Sequence, residues 1–188
     1  STSISGAVKS ASAPIQQVDE FVQKLKSKGY YMIARVSAFQ DYMYGNANVT
    51  SGIYMTSRAG LWLDGEGCFW LDPASAGVQS WITSAVLELK NMGFDTICLK
   101  DMAGTMSPNE AEQLFKGIKD AGVTLPLVLH THCTTGMAYM TVMKAVEAGV
   151  DIIDTATSCF SNGTSQPATE TVYYALSELG IETGLNEE

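Results

Sequence analysis

The spacing of apolar positions divides this chain into two unlike parts. From residue 93 onward, short apolar runs alternate with amphipathic stretches. Residues 95–100 read as a strand. Ser107, Pro108 and Glu110 then open a helix: the serine can cap, proline suits the first helical position, and the glutamate completes a capping box. Ala111, Leu114, Phe115 and Ile118 follow at helical spacing, and Gly122 can end the helix in left-handed geometry. Residues 125–132 predict the next strand, 137–148 a helix closed by Gly149, 150–156 a strand, and 167–179 a last helix closed by Gly180.

The first half is less regular. Val18, Phe21, Val22 and Leu25 form one helical stripe ended by Gly29. Residues 30–36 are a nearly unbroken apolar run with Arg35 near its end, the pattern of a strand buried on both faces. Val78, Trp81, Ile82, Ala85, Val86 and Leu89 predict a strong helix ended by Gly93. Between them, residues 39–77 are rich in Gly, Asn, Ser and aromatics and predict a long excursion without regular elements.

This gives an α/β chain of about four strands, each followed by a helix, with one extra helix in front. Parallel crossovers are right-handed, so consecutive strands should pair in order. A closed eight-stranded parallel barrel takes roughly 250 residues, and 188 supply half the strands. The expected fold is therefore a parallel (βα) half-barrel, closing as a homodimer. The alternative is an open sheet with helices on both faces. One domain is expected over 1–188, with a polar segment at 1–14 and two barrel fragments at 15–95 and 96–188.

Composition changes this picture little. Hydrophobic residues make up 46% and charged residues 16%, ordinary for a globular protein. No apolar run approaches the ~18–20 residues that span a bilayer, so no membrane role is expected. The first residues lack a basic stretch followed by an apolar one, so they do not read as a secretory signal. A net charge of −9 argues against a nucleic-acid partner, which needs clustered Lys and Arg. Cys68, Cys98, Cys133 and Cys159 lie far apart with no Cys-x-x-Cys pair, which points to free thiols in a reducing, cytoplasmic setting.

The chemical signal is His130-Thr131-His132, which holds both histidines of the chain. Residues i and i+2 of a strand share a face, so the two imidazoles can converge on one metal ion. They lie at the carboxyl end of a predicted strand, where α/β folds place their sites. Zinc, cobalt, manganese and nickel all accept imidazole, and spacing does not choose among them. Two histidines that merely pack there is the bland alternative.

Ile97-Cys-Leu-Lys-Asp-Met-Ala-Gly104, Leu129-His-Thr-His-Cys-Thr-Thr-Gly-Met137, the stretch from Ala145 to Ala156, and Ser161-Asn-Gly-Thr-Ser-Gln-Pro167 together resemble the biotin-dependent carboxyltransferases, including the oxaloacetate decarboxylase α subunit. The likeness covers roughly residues 94–186. It implies a TIM-type barrel with a divalent metal (Zn, Co or Mn) at its carboxyl-terminal mouth. By that resemblance the ligands are His130, His132 and a carboxylated Lys100, and Thr164 shuttles a proton between biotin and a small keto acid. No covalently attached biotin is expected, because the chain has no Met-Lys-Met acceptor motif. The family's first-strand Arg-Asp pair, with its aspartate ligand, is not found. If a second copy closes the barrel, Val36, after Arg35, falls at that ligand position.

Residues 15–95 resemble something else, a glycoside-hydrolase-like barrel family of unknown function. The resemblance rests on residues 30–36, on 60–73 (Gly-Leu-Trp-Leu-Asp-Gly-Glu-Gly-Cys-Phe-Trp-Leu-Asp-Pro), and on Met92-Gly-Phe-Asp95. Two families meeting inside one strand, near Phe94 and Ile97, imply an engineered or recombined chimera. The leading functional expectation is thus a half-barrel scaffold that retains a metal site without efficient catalysis. The alternative is a metal-dependent 2-keto acid decarboxylase or carboxyltransferase. A third reading makes Asp64, Glu66, Asp72 or Asp101 the carboxylates of a glycoside-acting protein, with Trp62, Phe69 and Trp70 as a sugar platform.

Overall fold

The computed structural model describes residues 17–57 and 59–185. The expected polar segment 1–14 lies outside them. The elements run α1 (Val18–Lys26), β1 (Ile33–Ser37), α2 (Tyr42–Ala47), α3 (Ala76–Met92), β2 (Thr96–Asp101), α4 (Pro108–Asp120), β3 (Leu127–Thr131), α5 (Ala138–Glu147), β4 (Ile152–Ile153) and α6 (Thr169–Glu178). The strands form one parallel sheet in the order β1-β2-β3-β4. The fold is the expected one, a partial barrel of βα units behind a leading helix.

The local signals act as the sequence predicts. At α4, the Ser107 hydroxyl accepts from the Glu110 N–H, and the Glu110 carboxylate accepts from the Ser107 N–H at 2.7 Å. Two otherwise unpaired helix-start donors are satisfied in this way. Gly93, Gly122, Gly149 and Gly180 all take positive φ just past their helices.

One core runs through the described residues. Ile97, Leu99, Leu127 and Leu129 from the central strands pack with Ile82 of α3, Phe115 and Ile118 of α4 and Val142 of α5. Each of these large side chains, fully buried, contributes about 1.5–3 kcal/mol of transfer free energy. Because these helices and α6 feed the same cluster, the helices lie on one face of the sheet. An open sheet covered on both faces needs a reversal of strand order, and there is none among the described strands.

The other face carries Arg35 and Ser37 of β1, Cys98 and Lys100 of β2, Val128 and His130 of β3, and Ile152 of β4, by strand alternation and register. This face is concave. Arg35 on β1 reaches over two strands to within 3.7 Å of Asp154, just past β4. Curvature of this kind is what a barrel segment has and a flat sheet lacks.

Three expectations are corrected. Residues 30–36 do not form a strand buried on both faces. β1 is an edge whose burial alternates, and Tyr30, Tyr31 and Ile33 are exposed. Residues 150–156 shrink to a two-residue strand, because β4 pairs with β3 alone among the described strands and leaves the sheet after Ile153. Residues 39–77 are not structureless. They hold α2, a short 3₁₀ turn at Val49–Ser51, and antiparallel bridges joining Gln40 to Trp70, Gly52 to Leu71, Tyr54 to Leu61 and Leu63 to Phe69.

Candidate metal centre at the carboxyl end of the sheet

Register brings the site together. Ser37, Lys100 and His130 occupy one row across β1, β2 and β3, and His132 stands just beyond the end of β3. The Nε2 atoms of His130 and His132 face each other at 3.1 Å. Each ring is held from behind. His130 Nδ1 lies 2.8 Å from Asp154 Oδ2, and His132 Nδ1 lies 2.6 Å from the Thr164 carbonyl oxygen. A carboxylate and a carbonyl can only accept, so both Nδ1 atoms carry a proton, and when both rings are neutral both Nε2 lone pairs point into the gap. The same outer-acceptor arrangement fixes the tautomer of metal-binding histidines.

Two facing lone pairs repel unless something electropositive lies between them. The Gln166 side-chain amide partly meets that need, with Nε2 at 3.3 Å from His130 Nε2 and 3.2 Å from His132 Nε2. A metal ion meets it more fully. At the usual ~2.0–2.1 Å metal–imidazole distance, a 3.1 Å separation subtends about 95–100° at the metal, between the octahedral and tetrahedral angles. Burial pushes the His130 pKa below its ordinary value, against the opposing pull of Asp154. The neutral ring that a metal requires is therefore favoured.

Arg35 Nη2 sits 3.4 Å from His130 Nδ1 and 3.7 Å from Asp154 Oδ2. Since Nδ1 donates to the carboxylate, the partner of the guanidinium is Asp154. Spacing alone gives no sign that Asp154, Gln166 and Arg35 belong here, because they come from a loop after β4, the segment before α6, and a strand two places away from β3.

The remaining candidates separate cleanly. Thr164 reaches the site through its backbone carbonyl, and its side chain is exposed. Asp101 faces away from Lys100, is buried, and accepts from Thr105 N at 3.0 Å, Met106 N at 3.0 Å and Thr131 Oγ1 at 3.2 Å. It anchors the β2–α4 loop and does not pair with Lys100. Gly104 follows in the same loop at φ +62°, and a Cβ there would lie 2.1 Å from the His132 carbonyl oxygen. Val36 packs against the helix-side core, on the face opposite His130, so it cannot occupy a ligand position. Ser37 is the β1 residue in the site's row.

Asp64 accepts from the Glu66 and Cys68 amides and the Trp70 indole, and also pairs with Gln40. Asp72 accepts from Ala74 N at 3.0 Å. Both carboxylates thus organise their own turns. Trp62 and Trp70 pack edge to face at 6.1 Å, and Phe69 stacks on Tyr42. Among the described residues, no three His, Cys, Asp or Glu side chains surround one metal position. The protein itself offers the two imidazoles, with Lys100 beside them in the row. No helix among the described residues is long and apolar enough to cross a membrane.

Comparison with known proteins gives the family and the fold of the chain. Residues 74–188 match the family model described as HMGL-like, and residues 2–101 match one described as "Putative glycosyl hydrolase domain". A pyruvate carboxylase subunit of Methanocaldococcus jannaschii is 36% identical over 173 residues, 92% of this chain and 29% of that protein. The methylmalonyl-CoA carboxyltransferase 5S subunit of Propionibacterium freudenreichii subsp. shermanii is 35% identical over 170 residues, 90% of this chain and 32% of that one. The carboxyl transferase domain of Rhizobium etli pyruvate carboxylase, solved with pyruvate, superposes with a TM-score of 0.60 at 29% identity, covering 90% of this chain and 28% of that one. The chain thus spans about a third or less of the length of these relatives. A likeness of 173 residues within 188 reaches residue 16 or earlier, so it is wider than the 94–186 that the motifs delimit. The chain belongs to the HMGL-like family through residues 74–188, and its residues 2–101 belong as well to the putative glycosyl hydrolase domain family.

Proposed function

We propose that this chain carries the metal-holding wall of a carboxyltransferase-type site that acts on a small 2-keto acid. The observation that supports this most directly is the pair of Nε2 atoms 3.1 Å apart, each imidazole held by an acceptor at Nδ1. His130 and His132 would hold a divalent ion, with Lys100, if carboxylated, adding an oxygen donor from the neighbouring strand. When bound, such an ion supplies Lewis-acid polarisation of a keto oxygen.

The chain's own groups have distinct parts in this reading. Asp154 and the Thr164 carbonyl orient the imidazoles. Arg35, half-exposed over the concave face, offers a cation to a substrate carboxylate. The family resemblance also gives the exposed Thr164 side chain a part, passing a proton between the keto acid and the carboxyl carrier. Biotin enters as a visiting group carried by another polypeptide or domain.

The test is elemental analysis of chelator-free protein together with metal-dependent oxaloacetate decay, for the parent chain and for His130→Ala/His132→Ala. About one zinc, cobalt or manganese per chain is expected, lost in the double variant along with the decay above the free-metal background. Parent protein without metal, or a double variant that keeps both metal and activity, overturns the reading.

A second reading is a recombined scaffold, joined near Phe94 and Ile97, with no efficient reaction. The overlap of two family models over residues 74–101 favours it. The alignment of nine-tenths of the chain with single relatives weighs against it.

A further inference from the structure

The loop between β4 and α6 carries both the Thr164 carbonyl and the Gln166 amide that touch the histidine pair. Within it, the Ser165 N–H donates to the Asn162 carbonyl at 2.8 Å and the Asn162 N–H to the Gln166 carbonyl at 2.9 Å, closing a compact turn. Asn162 enters that turn at φ +68°, the left-handed region that asparagine tolerates better than most side chains. Backbone ties fasten the turn at its middle and its far end. The Cys133 N–H donates to the Ser165 carbonyl at 2.8 Å, and the Ala156 N–H to the Pro167 carbonyl at 3.0 Å.

A further fastener is a side chain. Tyr139, in the first turn of α5, packs its ring against the core and turns its hydroxyl to the loop. That hydroxyl donates to Asn162 Oδ1 at 2.7 Å and accepts from the Ala168 N–H at 2.9 Å. The Asn162 amide nitrogen donates to Ser161 Oγ at 2.9 Å, which leaves Oδ1 to face the tyrosine. One oxygen, donating once and accepting once, thus bridges both ends of the segment 162–168. Ala168 is buried, so without that oxygen its N–H is left unpaired away from water.

We propose that Tyr139 is a positioning residue of the histidine site: it sets the loop that aims the Thr164 carbonyl at His132 and the Gln166 amide at the gap. It touches neither imidazole and acts through the loop. The Cys133 tie fixes one point, about which the exposed start of the turn, Asn162 to Thr164, can pivot. The Tyr139 bridge removes that pivot, so the 2.6 Å contact on His132 Nδ1 is kept. Its consequence for metal binding rests on the reading of the pair as a metal centre; its consequence for the His132 ring does not.

Tyr139→Phe keeps the ring and removes the oxygen. The first readout is the nitrogen-15 spectrum of the two imidazoles in metal-free protein at one pH. In the parent, both rings should show a protonated Nδ1. In Tyr139→Phe, His132 should become a mixture of tautomers while His130, held by Asp154, is unchanged. Gly122→Ala, which strains a turn at the opposite end of the sheet, should leave both rings as in the parent. Asn162→Gly, which suits the positive φ, should move His132 in the same direction as Tyr139→Phe, and the double variant should be no worse than Tyr139→Phe alone, because the two residues share one contact. Loss of an outer partner of a metal-binding histidine typically weakens binding about 10–100-fold. Tyr139 acts one contact further out, so cobalt affinity should fall about three- to tenfold in Tyr139→Phe.

A His132 ring unchanged in Tyr139→Phe, an equal change at His130, or the same change in Gly122→Ala overturns the positioning role. So does unaltered cobalt affinity in Tyr139→Phe when the parent binds cobalt. If Tyr139→Phe does not fold, Asn162→Gly leaves every core side chain in place and decides by the same spectrum, an unchanged His132 overturning the proposal. A parent chain that binds no metal overturns the proposed function instead, and the spectrum of the metal-free rings still decides the role of Tyr139.

Discussion

Replacing Gly104 with alanine is the sharpest probe of how the β2–α4 loop sets the histidine pair. Gly104 has φ +62°, where a β-carbon is disfavoured, and its own Cβ position lies 2.1 Å from the His132 carbonyl oxygen. The conformational part costs about 1–2 kcal/mol. The contact is with backbone, so it cannot be relieved by turning a side chain. Either the loop or the end of β3 must move by roughly 1 Å, and such overpacking adds about 1–3 kcal/mol. The expected total is about 2–5 kcal/mol.

Gly122→Ala separates the two parts. Gly122 has φ +85° but nothing within 4 Å of its Cβ position, so it should show the conformational part alone, about 1–2 kcal/mol. Urea unfolding followed by circular dichroism gives both differences from the shift in midpoint. Cobalt binding, followed by its visible absorption, gives the second consequence. Displacing the His132 backbone disturbs the 2.6 Å bond to Thr164 and the 3.1 Å Nε2 separation, so Gly104→Ala should lose at least tenfold in cobalt affinity while Gly122→Ala retains it. Equal destabilisation by the two substitutions, or unchanged cobalt affinity in Gly104→Ala, refutes the argument that this loop buttresses the site.

Three further outcomes are expected. Ser37→Asp places a carboxylate in the row of Lys100 and His130 and should tighten cobalt binding, whereas Val36→Asp puts it into the helix-side core and should lower stability with no gain in affinity; the same titration and unfolding assays decide. The Asp95 carboxyl is held below its ordinary pKa by its hydrogen bond to Lys26 and by the Met32 amide, so its contribution to stability is present above the unfolded value and is lost as pH falls through the folded one. The urea midpoint of Asp95→Asn should therefore trail the parent at about pH 6 and converge with it as pH falls below the ordinary carboxylate range, and a constant gap would refute the linkage. Cys159 is exposed, while burial pushes the Cys98 and Cys133 thiols above their ordinary pKa; Ellman's reagent should label Cys159 quickly in the native protein and Cys98 and Cys133 only on unfolding, with Cys159→Ser removing the fast phase.

What could be read in the sequence was whatever is set by neighbours along the chain. The capping box at Ser107 and Glu110 and the glycines after the helices are local devices, and they act locally in the structure. His130 and His132 share a face because strand geometry requires it. Features that depend on distant partners were hidden. The apolar run at 30–36 reads as a strand buried on both faces, yet Ile33 and Tyr31 are exposed, because hydrophobicity along the chain does not record which strand stands at the edge of the sheet. The aromatic-rich excursion at 39–77 is ordered by single antiparallel bridges too short to leave an alternating pattern. Asp154, Gln166 and Arg35 reach the histidines only after the sheet has curled. The misplacement of Val36 has the same origin: a motif aligned by residue number ignores which face each position takes, and one step along β1 exchanges the row of Lys100 and His130 for the core. Register thus decides which β1 side chain can complete the site, and Ser37 is the position it selects.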